Sequence, residues 1–233
     1  MGAPTVGLIL AGLDVDVDNG AAWNRWYDIE HLAPNLALPE ITCGARYVAP
    51  PALHESRHVD PGDPAWGSGR GVYLTWYATS TDPAEAIATM SARRDTLEAE
   101  GRMARAGARV VRTGDALDLT GALGAPELGL GPEDLIHVGH AGLRLVLDRV
   151  DRSPRLGPSV VASLRFASRF ATGVFAELQL LDRPAGEVLG DLRAGDPRPG
   201  AVLDAGFDPI APLAYGFLEA ITASDLPRTI ETL

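Results

Sequence analysis

The 233-residue chain contains five histidines, one cysteine and no lysine, and these counts bound the chemistry open to it. Without lysine there is no Schiff-base aldolase route, no pyridoxal phosphate linkage and no P-loop lysine. A single cysteine removes intramolecular disulfides and thiolate zinc sites, and Cys43, between Thr42 and Gly44, reads as a small packed side chain. The histidine in the richest setting is His31, in Trp23-Asn24-Arg25-Trp26-Tyr27-Asp28-Ile29-Glu30-His31-Leu32. On a helix, Trp23, Tyr27 and His31 fall at i, i+4 and i+8 and share one face, with Asp28 within reach of His31. An imidazole near a helix C-terminus and beside carboxylates is placed to take up and release protons near neutral pH. The competing role for His31 is structural, as a helix cap or a bridge between Asp28 and Arg46.

Two more histidine pairs invite a metal. His54-Glu55-Ser56-Arg57-His58 matches H-E-x-x-H, whose zinc chemistry requires one helix face bearing both imidazoles, with the glutamate as general base. The match lies in a Pro-rich stretch with room for about two helical turns and no third ligand downstream, so it reads as a solvated loop; His54, Glu55 and His58 are weak metal candidates. His137 and His140, three apart, fall on opposite faces of a strand and need a turn to act jointly; either could reach toward the pocket in the first half. No G-x-G-x-x-G or G-x-S-x-G is present, so nucleotide, flavin and serine-hydrolase readings lack support, and no cofactor is expected.

The elements that must carry these residues read as β-α-β-β-α-β in the first half: a strand at 5–15, a helix at 20–35, a strand at 41–48, a Pro/Gly loop at 49–69, a strand at 71–78, a helix from 82 to about 106 and a strand at 108–119. A Gly/Pro/Leu linker spans 121–133. The second half repeats the pattern in worn form, with strands at 136–150, 159–172 and 174–182, a helix at 184–194 and a last strand around 213–221. These readings give domains 1–120 and 134–233, and face-to-face stacking of their sheets predicts a barrel-like ligand cavity between them. All four Trp and four of five Tyr fall within the first 77 residues, as an aromatic-lined pocket would require and as a bulkier core also would. On the strand 71–78, Tyr73, Thr75 and Tyr77 share a face suited to a cavity wall; on 41–48 either Arg46 or Tyr47 faces inward, and an inward Arg46 could bind an enolate or carboxylate.

The string WYD-x-EH at 26–31, the turn Leu36-Ala37-Leu38-Pro39, Ala45-Arg46-Tyr47 and Val72-Tyr73-Leu74-Thr75-Trp76-Tyr77 together resemble the dimeric α+β barrel superfamily, in particular EthD-like proteins. The likeness covers about residues 5–115, and the second half lacks the helix motif. It implies an α+β fold of two ferredoxin-like halves joined as an internal pseudo-dimer, the second degenerate. It also implies a cofactor-independent cyclase, isomerase or lyase acting on an apolar oxygenated metabolite of polyketide or aromatic type. In that reading His31, Asp28 and Tyr27 are catalytic, and Trp23, Trp26, Arg46, Tyr47, Tyr73, Thr75 and Tyr77 bind substrate. The same family leaves open a cofactor-free monooxygenase, a heme protein with a histidine ligand, or a non-catalytic ligand carrier.

The net charge of −11, without a basic face, disfavours nucleic acid, and no apolar run is long enough to span a bilayer. A cytoplasmic protein with a small-molecule partner is expected, and a homodimer is possible.

Overall fold

Alternation of apolar side chains builds the strands, and closure of one sheet builds the molecule. The computed structural model describes residues 3–63, 65–67, 71–103, 109–224 and 226. In chain order the strands are β1 (Gly7–Val15), β2 (Ile41–Val48), β3 (His58–Val59), β4 (Tyr73–Thr79), β5 (Arg109–Gly124), β6 (Gly142–Asp148), β7 (Val160–Ser168), β8 (Phe175–Leu181) and β9 (Leu203–Pro209). Their order is β2-β4-β1-β5-β7-β8-β6-β9, and Tyr47 opposite Pro209 with Val48 opposite Asp208 joins β9 back to β2. The result is a closed, antiparallel eight-stranded barrel, with β3 added alongside β9. Closure pairs β2 with β9, the two strands that would otherwise end the eight-stranded sheet.

Every second residue points inward. Leu8, Leu10, Leu74, Trp76, Leu145, Leu164, Phe166 and Leu178, from five different strands, meet in one buried cluster. Eight strands leave an interior about wide enough for side chains to fill, and here leucines and aromatics fill it. The expected ligand cavity between stacked sheets is therefore corrected: the barrel lumen is core. Trp66 packs there too, its ring so close to Gly12 that a Cβ at that position would lie 2.4 Å from it.

Helices lie on the outer face. In the first half one continuous helical segment comprises α1 (Gly20–Trp26), a π-helical stretch (Tyr27–Leu32) and α2 (Ala33–Leu36). After α3 (Pro51–Ser56) comes α4 (Pro83–Ala99), whose N-cap Asp82 accepts from the Ala84 and Glu85 amides at 2.8 and 3.2 Å, with Pro83 at the first turn. The second half has α5 (Ala185–Gly195) and a short α6 (Leu218–Thr222). Nothing helical stands between β6 and β7. There the outer face of the sheet carries buried ion pairs instead, led by the fork of Arg144 on Asp204 at 2.9 and 2.6 Å. Among the described residues no helix is long and apolar enough to cross a membrane.

Strand order within each half is the same. Numbered separately, β2-β4-β1-β5 and β7-β8-β6-β9 both read 2-3-1-4. The halves also share a local device: Gly7, opening β1, abuts Pro83 at the start of α4, and Gly142, opening β6, abuts Pro184 and Ala185 at the start of α5.

Several expected boundaries move. The last strand is Leu203–Pro209, not 213–221, where the chain turns and then forms α6. Alternation was present, with Leu203, Ala205 and Phe207 inward, but Asp204, Gly206 and Asp208 between them obscured a strand. The stretch 136–150 starts as a 3-10 turn (Pro132–His137), so β6 begins only at Gly142. Residues 121–124 continue β5 rather than a linker, and α3 and β3 occupy the expected loop at 49–69. The second helix, expected to run to about 106, ends at Ala99 with Glu100 as its C-cap, and residues 104–106 lie outside the described residues.

Candidate active site

The π-helical stretch sets the site. Its wider turns keep Trp23, Tyr27 and His31 in one ladder of rings, with centroids 5.0 Å apart for the first pair and 4.6 Å for the second. Trp26 stacks on the imidazole, with centroids 5.6 Å apart. π-Turns inside helices are frequent at functional sites, and this one brings His31 half-exposed to the edge of a cleft.

The cleft, about 320 Å³, lies outside the barrel, between the outward face of β1 and β5 and the helices above them. Ile9 and Ala11 form its floor, Ile87 and Met90 of α4 one wall, and His31 and Asn35 the other. Arg94 and Arg109 stand at its rim, Arg109 5.8 Å over the Trp26 ring. Phe170, from the turn between β7 and β8, overhangs it.

Of the residues picked out from sequence, the cleft takes His31. Asp28 and Arg46 come together elsewhere, beneath the helix, 2.5 Å apart and buried. Arg46 also bonds the Asn24 side chain and, at 3.3 Å, the Asn24 carbonyl, and lies 5.1 and 4.3 Å over the rings of Trp23 and Tyr27. The second carboxylate oxygen of Asp28 accepts from the Tyr215 hydroxyl at 2.6 Å and the Leu213 amide at 3.0 Å. Burial and that carboxylate push the Tyr215 phenol up to about 12, so it donates throughout the neutral range. Arg46 thus faces outward into this lock, and neither it nor Asp28 lines the cleft.

Tyr73, Thr75 and Tyr77 face the same way as Arg46 and are buried under the helix. Burial, and after it the neighbouring Tyr27 phenol, raise the Tyr77 phenol well above its ordinary range. Cys43 is a thiol, pushed up to about 11 chiefly by burial.

Tyr47 points into the barrel and reaches the His140 Nε2 at 2.6 Å, while the His140 Nδ1 lies 2.8 Å from the Val138 carbonyl. That geometry fits a neutral imidazole whose Nδ1–H donates to the carbonyl and whose Nε2 accepts from the phenol. His140 therefore ties the segment between the halves to the lumen and does not reach the cleft. His137 ends its 3-10 turn. In the H-E-x-x-H stretch the helix stops at Ser56, Arg57 is extended and His58 belongs to β3, so His54 and His58 share no helix face. Among the described residues no group of three or more His, Cys, Asp and Glu is placed to hold a metal ion.

Burial holds His140 below its ordinary pKa, and burial followed by the Arg57 charge holds His54 down to about 3. Both groups resist protonation only in the folded state, so their contribution is complete above about pH 6.5 and is lost as pH falls below it. We expect His54 alone to lower unfolding free energy by about 2 kcal/mol between pH 6.5 and 5. Urea unfolding of the wild type and of His54→Asn at both pH values checks this; an equal pH slope in the two proteins would refute it.

Sequence reading missed Asn35, Met90, Arg94, Arg109 and Phe170. A signal existed for the α4 wall: Ile87, Met90, Ser91 and Arg94 sit at i, i+3, i+4 and i+7. Phe170 had none, because a turn in one half gives no sign of reaching the other.

No family model matches the chain, and no curated protein matches it. Among solved structures it is similar to a protein of Lactobacillus acidophilus NCFM provisionally called a monooxygenase, at 8% identity and a TM-score of 0.44, over 86% of this chain and 92% of that one. A second, from Fusobacterium nucleatum subsp. nucleatum ATCC 25586 and provisionally given the same activity, aligns at 6% identity and a TM-score of 0.46, over 90% of this chain and 94% of that one. Likeness at this level carries no argument about activity.

Proposed function

We propose that this chain is a cofactor-independent enzyme that moves protons on a small, mostly apolar, oxygenated metabolite, with His31 as general acid and base. The observation that carries the reading is the setting of that imidazole. It packs against the Trp26 and Tyr27 rings and borders a cleft whose floor and α4 wall are apolar. An imidazole there can take a proton from a carbon beside a carbonyl and return it at another atom, which is an isomerisation or a cyclisation with no redox change. Apolar walls keep water from the carbanion's neighbourhood. Tyr27 and Trp26 orient the ring, and the Asp28–Arg46 lock fixes the helix that presents it.

The same reading takes the two halves as ferredoxin-like units of an α+β barrel of the dimeric superfamily, EthD-like in the first half and degenerate in the second. It is supported by the shared 2-3-1-4 strand order and by the repeated Gly-against-Pro contact. Loss of the helix between β6 and β7 leaves one working cleft.

The test is turnover of enolisable aromatic β-diketones in deuterated water, under argon and in air, by the wild type and His31→Gln. Deuterium incorporation that proceeds under argon and drops about 100-fold or more in the variant is the expected result. Undiminished activity in His31→Gln would overturn the role of His31, and oxygen uptake during turnover would replace the proposal with a cofactor-free monooxygenase.

A further inference from the structure

Phe170 is a large apolar side chain left 62% exposed, and the turn that carries it is unusually well tied down. Arg169 forks onto Asp118 at 2.8 and 2.7 Å and reaches the α4 cap Asp82 at 2.6 Å. The Arg169 amide donates to the Ala116 carbonyl at 2.9 Å. Asp115 accepts from the Ser168 hydroxyl at 2.5 Å and the Phe170 amide at 3.3 Å. These contacts anchor a second-half turn to first-half elements, and what they hold over the cleft is an aromatic ring with one face uncovered.

The rim below that ring carries two arginines and one carboxylate. Arg94 and Arg109 line it, and the lining carboxylate, Asp115, is already engaged with the turn. Arg94 is paired with its exposed neighbour Asp95 at 2.7 Å, with side chains 50% and 65% accessible. Exposed pairs of this kind hold with about 0–1 kcal/mol, so an incoming anion can displace Asp95. A guanidinium whose exposed partner is readily displaced, beside an apolar slot in a chain of net charge −11, selects for one acidic group on an otherwise apolar ligand.

We propose that the cleft takes a flat, apolar small molecule bearing a single acidic group, that Phe170 clamps its face, and that Arg94 receives the acid. The second half, which carries no helix motif of its own, thereby supplies the specificity-determining ring of the first half's site. This deepens the functional reading above and rests on the cleft being its site.

Two fluorescent probes differing by one sulfonate test it: 1-anilinonaphthalene-8-sulfonate and N-phenyl-1-naphthylamine. Phe170→Ala is expected to weaken both about tenfold, since it removes stacking area common to the two. Arg94→Gln is expected to weaken the sulfonate about fivefold and the neutral dye less than twofold. Ser91→Trp, filling the slot from α4, should abolish binding of both. Because Phe170 is exposed, Tm stays unchanged in Phe170→Ala, which separates clamping from a structural role. Unaltered affinities in Phe170→Ala, equal losses of both dyes in Arg94→Gln, or dye binding that survives Ser91→Trp would each overturn the proposal. The dye affinities of the Phe170, Arg94 and Ser91 variants report the ligand class, and deuterium exchange in His31→Gln reports the acid–base reading, so the two fail separately.

Discussion

Arg46→Met should destabilise the fold by about 3–5 kcal/mol in urea unfolding, the largest single-residue effect expected outside the barrel lumen. Arg46 is 3% exposed, so solvent cannot stand in for its partners. Removing it strands the Asp28 carboxylate against Tyr215 and Leu213 with its charge uncompensated, and leaves the Asn24 side chain without its donor. It also strips the cation from between the Trp23 and Tyr27 rings. The methionine keeps most of the apolar volume, so the loss reports the ion pair rather than a cavity. Arg46→Lys should recover little, because a point charge cannot serve Asp28 and Asn24 together or stack on two rings. The double variant Arg46→Met with Asp28→Asn should regain part of the loss, since no orphaned charge remains. Leu213, held in a left-handed conformation at φ 61° with its amide on Asp28, would then be freed to relax. A loss below 1 kcal/mol in Arg46→Met would mean that this lock does not hold the helix of His31.

That lock also marks where sequence reasoning stopped. The spacing of Trp23, Tyr27 and His31 was legible, because one ring per helical turn is a local pattern that survives the π-helical stretch. The role of Asp28 was not, because its partners Leu213 and Tyr215 arrive from the far end of the chain. For Arg46 the alternation of β2 left two choices, and closure of the barrel decided between them by turning Tyr47 inward. The first-half strands and the β6, β7 and β8 segments were visible as runs of Val, Leu and Ile. β9 was hidden because its outward positions are Asp204, Gly206 and Asp208, the residues that usually announce a turn. The location of the cleft could not be read at all: whether a barrel holds its ligand in the lumen or outside depends on how large the inward side chains are collectively, and here leucines and aromatics leave the space to the helix layer.

Gly142→Ala should cost about 3 kcal/mol, the upper end of what one added methyl does in a packed site. A Cβ at Gly142 would lie 2.6 Å from the Ala185 amide nitrogen and 2.7 Å from the Arg183 carbonyl. Both are backbone atoms at the start of α5, so no rotamer change relieves the clash, and either β6 or the helix must shift. The matching position in the first half, Gly7, would meet the Pro83 ring at 2.3 Å and the Leu117 carbonyl at 2.6 Å, so Gly7→Ala should be comparably costly. By contrast Gly114→Ala, on β5 with nothing within 4 Å of the added carbon, should be near neutral. Thermal unfolding of the three variants decides the matter. Large losses at positions 7 and 142 with none at 114 would identify the strand-start glycine under the second helix as the packing rule common to both halves, and a small loss at either would break that equivalence.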